Sequence, residues 1–179
     1  MRFAGFRLQP FPLRALAVFL GLVVFALDLL TKWLVQSTAW LQYYPVINGF
    51  FTINYVRNEG IAFGLFHSLE SEWKVTALLF MGVIAVVVIL YYIWSTPADQ
   101  TLLIVSLGLL LGGILGNFVD RFLHHYVIDF LDFHWKDHFS WPTFNLADAA
   151  ITCGVLLIFY TTFLPSSDPE SQEDQTLHA

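Results

Sequence analysis

The sequence predicts a mainly α-helical membrane protein, a four-transmembrane-helix bundle with a small extracytoplasmic β-element. Three observations carry that expectation. The 179 residues are 57% hydrophobic and 12% charged, against about 45–50% apolar and about 25% charged in a soluble domain. Four apolar runs each have the length that crosses a bilayer, since about 20 residues at about 1.5 Å each span its hydrocarbon core. Two of the stretches between them read as strands and turns. The length fits one membrane domain over 1–165, followed by an acidic tail, 166–179, expected to be disordered.

Taken in order, residues 1–14 form a leader broken by Pro10 and Pro12 and carrying Arg2, Arg7 and Arg14. The first span, 15–34, is too long for the apolar core of a cleaved signal peptide, and Asp28 and Lys32 interrupt it before any cleavage site. It is expected to be retained. The second span is 75–94, the third 101–119 and the fourth 146–164. Four crossings place both termini on one side. The arginine leader puts that side in the cytoplasm, although Arg57, Lys74, Arg121 and Lys136 then lie at or beyond the outer boundary, against the same rule. Loops 35–74 and 120–145 then face outward. Tyr43–Val56 has strand composition with a turn signal at Asn48-Gly49. Asn58-Glu59-Gly60 is a second turn, and Tyr126–Phe133 again favours a strand. These pieces are expected to form a β-element on the outer membrane surface, with a flap over 43–66.

Several function classes fall away on composition. No basic cluster exists to neutralise phosphates, so nucleic acid is not a partner; the formal charge of −6 owes much to Asp168, Glu170, Glu173 and Asp174. The one cysteine, Cys153, forms no internal disulfide and reads as a small buried hydrophobe. His134 and His138 are four apart, with His124 and His125 near, but HWKDH lacks the HExxH arrangement of a zinc peptidase. No metal site and no cofactor are expected, and no Ser-His-Asp or Cys-His arrangement is visible.

The polar residues inside apolar segments carry the argument, because ionisable groups there are costly unless paired, wetted or used. Asp28 and Lys32 share a helix face with the acid first, the favourable order; they either neutralise each other or hold something polar inside the bundle. Gly108, Gly112 and Gly116, joined by Gly113, allow close approach of another helix. Asn117, Asp120 and Arg121 follow on one face, as support for a site. Asn145 reads as the N-cap of the last span with Asp148 at N3, a capping box with Asp in place of Glu. That alone explains Asp148, and the helix dipole favours its ionised form. Asp129 sits in VIDFL, where desolvation raises a carboxyl pKa. If Asp129 and Asp148 come within hydrogen-bonding distance they share one proton. One carboxylate then takes a proton from water while the other polarises a carbonyl.

The order of these motifs resembles that of the bacterial lipoprotein signal peptidases, the signal peptidase II family. Asp28-x-x-Thr31-Lys32, Asn58-x-Gly60-x-Ala62-Phe63, Gly112-Gly113-x-x-Gly116-Asn117-x-x-Asp120-Arg121, Val127-x-Asp129-Phe130 and Phe144-Asn145-x-Ala147-Asp148 occur in series over residues 15–164. The resemblance implies an aspartic endopeptidase of the bacterial inner membrane, active towards the outer face. Its partners would be membrane lipids and diacylglyceryl-modified prolipoproteins, cut just before the lipidated cysteine. Asp129 and Asp148 would be catalytic. Asp28, Lys32, Asn58, Gly60, Asn117, Asp120, Arg121 and Asn145 would shape the site or contact substrate. Glu59, Ile61 and Gly64, with Ala149 after the second aspartate, depart from the family's usual residues. A monomer is expected. The alternative is a small transporter with an ion path through Asp28, Lys32, Asp120 and Arg121, against which stands an uncharged 76–94 stretch.

Overall fold

The computed structural model describes residues 13–60, 71–136 and 138–163. The leader up to residue 12, the tail from 164, His67 and the 61–66 part of the expected flap lie outside them. Four helices are long and apolar enough to cross a membrane: α1 (Leu13–Ser37), α2 (Ser71–Ser95), α3 (Thr101–His124) and α4 (Leu146–Phe163). Their outward faces are apolar, with Phe19, Phe80, Val87, Tyr91 and Leu156 all exposed. In water such a surface would aggregate; against lipid it is the expected one. The chain is a multi-pass membrane protein.

The helix α3 is the centre of the bundle, and its glycines explain why. A Cβ at Gly112 would land on the Gly21 carbonyl of α1, and one at Gly113 on the Ala147 carbonyl of α4. Backbone therefore touches backbone on two sides of α3. On its third side Leu107 and Leu111 pack with Ile89 and Ile93 of α2.

The expected spans are all present, with shifted ends. The helix α1 begins two residues earlier than the sequence predicts and runs on to Ser37. The larger difference is in α3, which continues through Asp120 and Arg121 to His124. Those polar groups face the bundle rather than water, so they do not end the helix. It stops at His125, which takes a left-handed conformation (φ 66°) and donates its N–H to the Arg121 carbonyl at 3.1 Å, the usual closure of a helix end.

The β-element is a four-stranded antiparallel sheet in the order β1 (Tyr43–Ile47), β2 (Phe51–Asn58), β3 (Val127–Trp135), β4 (Phe139–Ser140). The Asn48-Gly49 signal is the β1–β2 turn, with Gly49 at φ +74°. Strand β3 extends two residues past the expected end, because β4 pairs with His134 and Trp135. The β2–β3 register sets Val56 opposite Asp129 and Thr52 opposite Asp132. Phe144 bridges to Leu131 beside the sheet and so delivers Asn145 next to β3. Stacked rings of Phe51, Phe133 and Phe144 hold that junction.

Candidate active site

The site forms where the sheet meets the bundle, and it is built inward from a buried cation. Lys32 is 1% exposed, a position an ammonium tolerates only if its three donors are satisfied. They are: Nζ lies 2.7 Å from Asp28 Oδ2, 3.0 Å from Asp120 Oδ2 and 3.1 Å from Asn117 Oδ1. The Asp28–Lys32 pair of the sequence is thus real but not self-contained; it joins α1 to α3.

Each of these carboxylates also orders backbone elsewhere. Asp28 Oδ1 accepts the N–H of Ala147 at 2.9 Å, capping the first turn of α4. Asp120 Oδ2 accepts the N–H of Ile128 at 2.9 Å, fixing the start of β3 one residue before Asp129. Arg121 Nη1 donates to the Asn117 carbonyl at 3.1 Å. Its charge lies within electrostatic reach of Asp148, Asp129 and Asp120.

Asn145 sits between the two aspartates expected to do chemistry. Its Oδ1 accepts the N–H of Asp148 at 2.8 Å, and Asp148 Oδ2 accepts the N–H of Asn145 at 3.3 Å. This is the capping box that the sequence predicts. The other end of the same amide, Nδ2, donates to Asp129 Oδ1 at 2.7 Å, and also approaches Asn117 Oδ1 and the Ile128 carbonyl. Asn117 Nδ2 completes the ring by donating to Asp148 Oδ1 at 2.7 Å. The Asn145 amide thus bridges Asp129 and Asp148.

Asp129 is 1% exposed. Its Oδ2 accepts from Asn58 Nδ2 at 2.9 Å, while Asn58 Oδ1 accepts the N–H of Gly60 at 2.9 Å. That second bond forms a tight turn in which Gly60 takes φ +83°. Burial pushes the Asp129 carboxyl up to about 6, and the negative charge of Asp148 adds to the rise; the Asn58 and Asn145 bonds and the Lys32 charge oppose it. The charge count agrees. Asp28, Asp120, Asp129 and Asp148 outnumber Lys32 and Arg121, and a crowded set of acids keeps a proton more readily.

Every site residue singled out in the sequence belongs to this connected network. What the sequence does not reveal is its backbone half, the N–H groups of Ala147 and Ile128 held by Asp28 and Asp120, because a main-chain donor leaves no mark in a residue string. Asn54, which donates to Asp132 Oδ2 at 3.0 Å, is also invisible there; its reach to a strand aspartate emerges only once the pairing of β2 with β3 is known. Beside Asp148, a groove of about 750 Å³ opens along α4, lined by Phe133, Phe139, Trp141, Phe144 and Cys153. Cys153 is exposed there, not buried as the sequence predicts, because α4 meets α3 on its other side.

Known proteins resemble this chain over most of its length. The lipoprotein signal peptidase of Francisella tularensis subsp. novicida (strain U112) is 39% identical over 139 residues, covering 78% of this chain and 86% of that protein. The lipoprotein signal peptidase of Nitratidesulfovibrio vulgaris (strain DP4) is 38% identical over 158 residues, 87% of this chain and 93% of that one. A bacterial membrane enzyme solved by the in meso method at 2.3 Å superposes with a TM-score of 0.73 at 28% identity, over 87% of this chain and 92% of that chain. The family profile described as Signal peptidase (SPase) II matches residues 20–164, a stretch that takes in the whole network from Asp28 to Asp148. With four membrane helices built around that network, the chain belongs to the signal peptidase II family.

Proposed function

We propose that Asp129 and Asp148 are the catalytic pair with which this peptidase removes the signal peptides of prolipoproteins. The observation that carries the assignment is the Asn145 amide, which touches Asp129 with one end and holds Asp148 with the other. A bridging amide fixes the spacing and orientation of two carboxylates without consuming either, the positional control that general acid–base chemistry requires. Asp129, with its carboxyl raised to about 6, carries the proton and donates it to the scissile carbonyl oxygen. Asp148 takes a proton from the attacking water. When the tetrahedral intermediate collapses, Asp148 returns that proton to the leaving amine and Asp129 regains its own, so the pair ends as it began.

The remaining residues support this pair. Lys32 and Asp28 position α4, Asp120 positions β3, and Asn117 and Asn145 orient the carboxylates. Asn58 and Gly60 hold the turn against Asp129, and Arg121 supplies positive charge beside the pair. The substrate is a membrane-inserted signal helix followed by a diacylglyceryl-modified cysteine. The apolar groove beside Asp148 suits such an apolar ligand. Cleavage falls just before the lipidated cysteine, at the outer face of the inner membrane, with both termini cytoplasmic and the enzyme acting as a monomer. The transporter alternative is not favoured: the polar groups form a closed network at one end of the bundle, and no charged residue lies between Val75 and Ser95 on α2.

The test is incubation of the purified protein in detergent with a diacylglyceryl-modified prolipoprotein. Wild type releases the signal peptide, with or without EDTA; Asp129→Asn and Asp148→Asn fold and leave the substrate uncut. Full processing by either variant removes the pair assignment, and loss of activity in chelator points to a metal peptidase.

A further inference from the structure

A second cavity, of about 590 Å³, lies between the start of α2 and the end of α3, beside Glu59. Its size is that of a small-molecule site, and its wall is divided. At the sheet end stand Glu59, Lys74, His124 and Tyr126; towards the bilayer stand Val75 and Leu79, one helical turn apart on α2. Neither Lys74 nor Glu59 has an ion-pair partner among the described residues. A second cation stands close by, with the Arg57 guanidinium 5.1 Å from the Tyr126 ring. On that ring His124 stacks at 5.6 Å. Lys74 and His124 occupy the first and last turns of their helices, the depth at which lipid headgroups sit.

We propose that this cavity binds the headgroup of an aminophospholipid, a phosphate diester bearing a primary ammonium. Lys74 and His124 take the phosphate, Glu59 takes the ammonium, and Val75 and Leu79 receive the start of an acyl chain. The carboxylate of Glu59, set among these cations, favours a zwitterion, whose ammonium it can hold, over a simple anion, which it repels. It also selects a primary ammonium over a trimethylated one, which has no N–H to donate to a carboxylate. The diacylglyceryl group of a prolipoprotein has neither phosphate nor amine, so this ligand is a bulk lipid rather than the substrate's own modification.

Native mass spectrometry of the full chain in detergent tests it, using phosphatidylethanolamine, phosphatidylcholine and phosphatidylglycerol with identical acyl chains. Phosphatidylethanolamine is expected to be retained most. Loss of a charge-assisted contact weakens binding by about tenfold, so Lys74→Ala should lower phosphatidylethanolamine retention by about that factor. Glu59→Gln should erase the preference over the other two lipids, while Lys136→Ala, on the β3–β4 turn, changes nothing. Unfolding midpoints check that each variant is folded, with Lys74→Gln replacing Lys74→Ala if the latter is not. Unchanged retention in the Lys74 variant, or an intact preference in Glu59→Gln, overturns the site. Displacement of the lipid by millimolar O-phosphoethanolamine or inorganic phosphate overturns the lipid assignment in favour of a soluble phosphate.

Discussion

The carboxamide of Asn145 donates to Asp129 at 2.7 Å while it accepts the backbone N–H of Asp148 at 2.8 Å. One short side chain therefore sets the relation between two carboxylates that come from a strand and a helix. Asn145→Ala removes an N-cap, costing about 1 kcal/mol of stability. The larger effect is on rate: misplacing a reacting group by about 1 Å costs about 100-fold, so prolipoprotein cleavage should fall by that order while the unfolding midpoint drops only modestly. A variant that cuts at the wild-type rate would contradict the bridge.

Asp129 also predicts how stability depends on pH. Its carboxyl is raised from the ordinary value of 3.8 to about 6, so the folded state binds its proton more tightly than the unfolded chain does. The resulting stabilisation is full below about pH 4 and is lost as pH rises through about 6. At about 1.4 kcal/mol per pKa unit the change amounts to up to about 3 kcal/mol. Asp129→Asn lacks it. The stability of Asp129→Asn relative to wild type should therefore increase between pH 4 and pH 8, as thermal unfolding in detergent would reveal; parallel pH profiles for the two proteins would argue against a raised carboxyl.

In the proposed mechanism the same carboxyl governs rate. With Asp129 as the acid, kcat/KM declines as pH rises through about 6, where its carboxyl gives up its proton. The Asn58 bond pulls that value down, so Asn58→Ala should carry the declining limb to higher pH while lowering the maximum. A limb that stays put, or moves to lower pH, would place the acid elsewhere.

Lys32 is the cation around which three acceptors gather. Lys32→Met leaves Asp28 and Asp120 buried without it, and breaking a buried pair from one side costs about 3–5 kcal/mol. Asp28→Leu combined with Lys32→Met should be less damaging than the sum of the two single changes. Additive losses would mean that the two side chains do not act as a pair.

Much of the fold and the site is legible in the residue string, and what is not has a common cause. Run length reveals the four helices because lipid imposes the period directly. It misplaces the end of α3 because Asp120 and Arg121 look like the edge of an apolar span, whereas they face inward and the helix passes through them. The capping box at Asn145 and Asp148 is readable because it is local, three residues apart. Whether Asp129 meets Asp148 is not, since the answer depends on the β2–β3 register and on the Phe144–Leu131 bridge that docks Asn145 against the sheet. Asp28 and Lys32 look self-sufficient at i and i+4, but the other two acceptors of Lys32 are on α3, and Asn117 is 85 residues away in the chain. Cys153 reads as buried because an apolar run does not say which face meets lipid.

The bond from Asp28 to the N–H of Ala147 closes a loop of 119 residues, and that distance bears on how the enzyme is made. A membrane chain emerges N-terminus first, so α1 is in the bilayer with Asp28 and Lys32 long before α4 exists. Until the last helix enters, Asp148 is absent and Asp28 has no Ala147 to hold. The network around Lys32 therefore closes only on completion of the final span, and the proposed pair of Asp129 and Asp148 exists only from that moment.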